Sequence, residues 1–277
     1  MSTLSYIFEG PDTDVILRAP LQPESDEFKD FHVHKLILSI ASITFRDTFS
    51  IPQPPRGGHN PNDNTLDIVQ VSESANVLET FLQLIYPVDP PLIENLWLVE
   101  HLFRAADKYA AKGITTKLKK FLISPSFLKH DPIGVFAIAC SNNLDEEARL
   151  AVQHTFTIDV VSQISEERLH TMTAKTYHLL LTEHALRRKQ LISALKTSWR
   201  SIDPQPRCRC MAKLEEKVHI RICGSPFLDR ETLEHCLSLV DNSGCGSGGP
   251  FGGPCIKQHG GSSQLFFSDA MSRIQAL

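Results

Sequence analysis

Six of the seven cysteines fall at or after position 208, and four of them, Cys208, Cys210, Cys245 and Cys255, stand with His259 as the residues best able to hold a metal. Thiolates and an imidazole together complete a tetrahedral zinc shell. The spacing is irregular for that purpose. Cys208-Arg209-Cys210 is tighter than the usual Cys-x2-Cys knuckle, and the nine residues between Cys245 and Cys255 do not fit a ribbon turn. Two readings therefore stand side by side: a structural zinc site, or reduced, unligated thiols with Cys236 packed as a small hydrophobe on its helix. Bound zinc would contribute on the order of 10 kcal/mol, enough to order a segment that composition leaves loose. A second pair, His32-x-His34, puts two imidazoles on one strand face, an arrangement that metals use.

Nucleophilic and phosphate chemistry find no such support. The chain contains no Gly-x-Ser-x-Gly elbow, no Gly-x4-Gly-Lys-Ser/Thr loop, no Gly-x-Gly-x-x-Gly after a strand and no His-Glu-x-x-His helix. Cys140 sits on an apolar helical pattern, where burial raises a thiol pKa and makes it inert. Glu146-Glu147 and Glu166-Glu167 are adjacent in sequence, so on a helix they diverge and are solvated. No enzyme is expected.

Composition narrows the class further. A 277-residue chain with 42% hydrophobic residues buries a sizeable core in one large domain or two smaller ones. Its formal net charge of -4 gives no general basic field, and the runs 117–120 and Arg187-Arg188-Lys189 lie inside helical patterns, where solvated faces are expected. Nucleic acid is not an expected partner. The opening MSTLSYIFEGPDTD lacks the basic start and apolar core of a secretory signal, and no uncharged apolar run is long enough to span a bilayer. An intracellular protein of the cytoplasm or nucleus, without a membrane partner and with reduced thiols, is expected.

These residues need elements to position them. Asp14 to Arg18 opens with period-2 alternation, and Phe31 and Val33 repeat it. After His34 the period changes. Leu36, Ile37, Ile40 and Ala41 fall at helical spacing, then Phe45 and Phe49 restate it one turn apart. The Pro- and Gly-rich stretch 51–64 reads as an exposed loop, and 65–71 (TLDIVQV) as a third strand. Leu78, Phe81, Leu82 and Ile85 form a buried helical stripe that closes at Tyr86-Pro87. Val99, Leu102, Phe103, Ala106 and Ala110 form the next, which Gly113 is expected to end. A further helix runs through Leu118, Phe121 and Leu122. Beyond 126 the chain reads as helix after helix. The stripes are Ile133, Phe136, Ala137 and Cys140, then Ala148, Ala151, Val152 and Thr155, then a long one from Tyr177 to Leu195. Eight of fourteen glycines lie between Gly244 and Gly261, where little is buried, and candidate helices through Leu233, Leu237 and Val240 and through Leu265, Phe266 and Met271 flank them.

The order of the first elements resembles a BTB/POZ domain. Asp14, Val15, Leu17, Phe31, Val33, His34, Lys35, Leu38, Ser42, Phe45 and Phe49 match its pattern Asp-Val-x-Leu, Phe-x-Val-His-Lys, x-x-Leu, x-x-x-Ser, x-x-Phe, x-x-x-Phe, and Ala105 to Tyr109 matches its Ala-Asp-Lys-Tyr segment. The Pro-rich loop after the second helix and Ile85-Tyr86-Pro87 resemble most closely the fungal (basidiomycete-like) members. Trp199 with Cys208 and Cys210 is similar to the Trp and paired cysteines that such relatives carry.

The resemblance implies an α+β fold, a small mixed sheet covered by helices, followed by an all-α extension and a Cys/Gly-rich tail. The expected divisions are 10–125 for the BTB domain, 126–200 for the helical extension and 201–277 for a partly flexible tail. It also implies that His34 is structural, at the strand-to-helix junction, and that dimers bury Leu36 to Ser42 together with the N-terminal segment. Only 13 residues precede Asp14, too few for the exchanged N-terminal helix of many relatives, so a homodimer, a homo-oligomer or a monomer are all open. The function implied is protein-protein interaction through self-association and partner recruitment, with the cullin-3 ubiquitin-ligase scaffold as one partner. Phe49-Ser50-Ile51-Pro52-Gln53 lacks the glutamate that cullin-3 partners often carry there. A zinc-stabilised transcription or chromatin regulator is the alternative.

Overall fold

The computed structural model describes residues 12–22, 26–51, 66–202, 209–240 and 260–277. The chain divides between His130 and Asp131 into two compact units.

The first unit holds a three-stranded sheet in the order β2-β1-β3. β1 (Val15–Pro20) pairs antiparallel with β2 (Phe28–Val33), Leu17 opposite Phe31, and parallel with β3 (Asp67–Gln70), Leu17 opposite Val69. The alternation predicted for these strands is the alternation buried. Val15, Leu17, Ala19, Phe31 and Val33 point into the core, because successive strand side chains face opposite ways. The third strand is shorter than the expected 65–71, although Val71 still donates its amide to the Arg18 carbonyl at 2.9 Å. α1 (Lys35–Ala41) and α2 (Ile43–Ser50) separate β2 from β3 in sequence, and α3 (Ala75–Ile85), α4 (Leu96–Lys108), α5 (Lys112–Leu122) and α6 (Pro125–His130) complete the unit. Leu78, Phe81 and Leu82 are buried in α3 as expected, with Leu84 rather than Ile85 completing the face.

Gly113 does not end α4. The helix stops at Lys108, and Ala110 takes the left-handed conformation (φ 49°) that lets the Ala111 amide turn back to the Ala106 carbonyl at 2.8 Å. With the reversal made there, Gly113 falls in the first turn of α5.

The second unit is helical: α7 (Pro132–Ser141), α8 (Asp145–Thr155), α9 (Val160–Gln163), α10 (Glu166–Thr171), α11 (Ala174–Ile202), α12 (Arg209–Arg221), α13 (Arg230–Ser238) and α14 (Gly260–Gln275). α7 departs from the single stripe expected. Pro132, Ile133, Val135, Phe136, Ile138 and Ala139 are all buried, so most of its circumference is enclosed, while Ala137 and Cys140 are only half-buried. Leu191, Leu195 and Trp199 of α11 share one core with Leu214 and Val218 of α12, Leu233 and Cys236 of α13 and Phe266 of α14. Trp199 meets Phe266 edge-on, ring centroids 6.0 Å apart. α12 was not anticipated from the sequence, whereas both flanking helices were.

The expectation of solvated basic faces holds unevenly. Leu118 is buried, and Lys117 reaches the Leu84 carbonyl at 2.7 Å. In the second run, Arg188 donates to the Cys223 carbonyl at 2.6 Å and Arg187 lies 5.5 Å from the centre of the Phe156 ring. These two arginines are used internally because α11 is covered on more than one side.

Candidate protein-interaction surface

α1 begins where β2 ends, and three contacts fix that junction. The His34 amide donates to the Tyr86 hydroxyl at 2.9 Å, and His34 Nδ1 lies 3.1 Å from the same oxygen. Nδ1 as acceptor of the phenolic proton satisfies both contacts, since the amide can only donate. Burial raises the Tyr86 pKa, so the phenol keeps that proton. Asp14, at the start of β1, accepts from the Lys35 amide at 2.7 Å. It thereby serves one of the orphan donors at the α1 N-terminus, which His34 does not cap with its side chain. Lys35 Nζ reaches Asp67 of β3 at 3.1 Å. His34 is thus bound to Tyr86, and among the described residues no group of three or more His, Cys, Asp or Glu side chains is placed to hold a metal ion.

Ser42 divides α1 from α2. Its Oγ accepts from the Phe45 amide at 3.0 Å and donates to the Tyr109 carbonyl at 2.5 Å, so one buried hydroxyl caps α2 and ties it to the end of α4. Phe45 stacks on Tyr109 and, more loosely, on half-buried Phe49. The Tyr109 phenol donates to Glu73, which also receives Lys108 Nζ at 2.7 Å. Burial and the adjacent Glu73 carboxylate push the Tyr109 pKa far up, keeping it a donor. Phe31 and Leu38 are buried.

Among the described residues, these contacts leave one face of α1 without cover. Leu36 is 70% exposed and Ile40, one turn on, 79% exposed. Ile43 opens α2 half-exposed. The helical period found in the sequence therefore follows the open side: Leu36 and Ile40 are exposed, Ile37 and Ala41 are half-buried, and Leu38, which belongs to the family pattern, faces inward. Period alone cannot make that distinction, since an apolar residue at helical spacing fits a core or an interface equally.

Of the proposed zinc ligands, Cys208, Cys245, Cys255 and His259 lie outside the described residues, as does the side chain of Cys210. Cys236 is buried in the second unit's core, and burial raises its thiol pKa. Cys140 is raised for the same first reason, with Asp145 adding to it. Both are poor nucleophiles.

Residues 13–126 match the family described as the BTB/POZ domain. No curated protein matches the chain. The first unit is a BTB domain, a three-stranded mixed sheet covered by helices and followed by a helical extension. The chain is thus a BTB domain-containing protein, and the domain is a protein-protein interaction module of a kind that is generally not an enzyme. Among the described residues, no helix is long and apolar enough to cross a membrane.

Proposed function

We propose that the protein self-associates through the outward face of α1 and recruits a further protein partner, and that it acts inside the cell. The observation that carries this reading is the exposure of Leu36 and Ile40, one turn apart on a helix whose remaining contacts fix it to the sheet. Two large aliphatic side chains left in water forgo roughly 1.5 to 3 kcal/mol each relative to full burial, which an isologous contact recovers. Co-expression of two differently tagged copies tests it. Recovery of both tags on either affinity resin is expected, and recovery of one tag alone contradicts the proposal.

The partner proposed is cullin-3, with the protein serving as a ubiquitin-ligase adaptor. The support is the BTB domain itself. Absence of binding to purified cullin-3 at tens of micromolar would remove this part and leave self-association untouched. The Pro-rich 51–64 stretch and Ile85-Tyr86-Pro87 support placement with the fungal type. The site residues proposed are Asp14, His34, Lys35, Ser42 and Tyr109 as the frame that presents α1, with Phe31, Leu38, Phe45 and Phe49 as the packing beneath.

A further inference from the structure

The second unit contains a cavity of about 500 Å3 between the end of α8, the middle of α11, the turn before α13 and the end of α14. Part of its wall is apolar and fixed. Leu228 and Ile274 are buried, and Phe156 is held by its carbonyl, which accepts from Ser225 Oγ at 2.8 Å. Its rim is apolar and open, with Phe227 and Leu277 both substantially exposed. Into this setting α11 sends one guanidinium. Arg187 lines the cavity with its Cζ over the Phe156 ring, 5.5 Å from the centroid. Its Nε is buried, and the guanidinium makes no hydrogen bond or ion pair with any described residue. Burial alone lowers its pKa, with no carboxylate acting to raise it.

Arg187 is half-buried with its Nε wholly enclosed, and a partly desolvated cation that no described residue pairs is costly. The carboxylate in the same wall, Asp229, is committed elsewhere: it caps α13 by accepting from the Thr232 amide at 2.7 Å, and its pKa is lowered chiefly by that residue. We propose that the cavity is a binding site for a small apolar monocarboxylate, whose carboxylate pairs with Arg187 and whose body fills the space walled by Phe156, Leu228 and Ile274. A guanidinium stacked over a ring still has N–H donors to offer, and a carboxylate meets two of them in parallel. One cation, with Asp229 nearby, favours a single negative charge over a phosphate dianion. The volume lies in the range of small-molecule sites, and apolar walls interrupted by a few polar side chains, Arg187 and Asp229 among them, are their usual composition. Nothing in this inference depends on how the BTB domain associates.

Calorimetric titration of the full chain with straight-chain carboxylates from octanoate to myristate, below their micelle concentrations, tests it, with the matching alcohols and inorganic phosphate as comparisons. One saturable site is expected, with the carboxylate bound about ten-fold or more tighter than the alcohol of equal length and phosphate not competing. Arg187→Met keeps the length and removes the charge, and is expected to abolish the preference while alcohol binding persists. Phe227→Ser on the exposed rim leaves Arg187 in place and is expected to weaken acid and alcohol alike, with an unchanged circular dichroism spectrum. Absence of binding by every chain length, equal affinities for acid and alcohol, or a preference that survives Arg187→Met would each overturn the assignment.

Discussion

Phe45 and Tyr109 stack with ring centroids 4.5 Å apart and planes 12° from parallel, and the same two residues are bridged through Ser42, whose hydroxyl serves the amide of one and the carbonyl of the other. α2 and the end of α4 are therefore joined by a ring contact and a two-way hydrogen bond at one point. Phe45 is almost wholly buried. Replacing it by alanine removes the stack and leaves a cavity that the tied backbone cannot collapse into. Phe45→Ala is expected to cost about 3 to 5 kcal/mol in urea unfolding of the chain. A loss under about 1 kcal/mol would show that the register of α2 is wrong.

The Tyr86 hydroxyl is a partner to both the amide and the ring of His34, at the turn from β2 into α1. Tyr86→Phe keeps the ring and leaves a part-buried amide without an acceptor. The expected loss is about 1 to 3 kcal/mol, the desolvation cost of an unmade hydrogen bond. An unchanged unfolding midpoint would mean that water replaces the hydroxyl and that the junction is less enclosed than described.

His184 of α11 supplies a pH dependence in the second unit. It is buried, and Thr155 Oγ1, 2.9 Å from its Nε2, already gives its own proton to the Val152 carbonyl. Nε2 therefore carries a proton. Burial first, and Arg188 second, push its pKa down to about 4 from the ordinary 6.5, with Asp159 acting weakly the other way. Above pH 6.5 folded and unfolded chains both hold the neutral ring. As pH falls below 6.5 the unfolded chain takes up the proton first, and stability declines until the folded pKa is reached. The loss accumulated over that window is expected to approach about 3 kcal/mol. Urea unfolding at intervals from pH 7.5 to 4.5 measures it. His184→Gln should flatten the slope between pH 6.5 and 4.5, and a slope unaffected by the substitution would assign it to other groups.

How far the sequence carried these conclusions differs by element. β1, β2 and α3 were readable because burial on one side imposes a period, and Val15, Leu17, Phe31, Val33, Leu78 and Phe81 obey it. Ser42 could be singled out by its place in the family pattern, but its bond to the Tyr109 carbonyl joins residues 67 positions apart and leaves no local trace. Asp14 was legible as a residue and not as a role, since it caps a helix that begins twenty-one residues later. The end of α4 was misplaced because Ala110, which seldom adopts a positive φ, makes the turn that glycine usually makes. α12 escaped notice because, among its described side chains, Leu214 and Val218 carry the buried side, with Ile222 just past its end, amid seven charged or histidine positions that read as polar. Arg187 was expected in solvent. Only the fold of 153–157 and 227–229 around α11 encloses it.

The outward face of α1 is the centre of the account, and sedimentation velocity of the full chain against Leu36→Asp/Ile40→Asp tests it most directly. Both residues are exposed, so the substitutions should leave the fold and its unfolding midpoint intact. The wild-type chain is expected to sediment as a dimer or larger species at micromolar concentration, and the double variant as a monomer of 31.0 kDa. A wild-type chain that is monomeric throughout, or a double variant that associates as the wild type does, would contradict the assignment of α1 as the self-association surface.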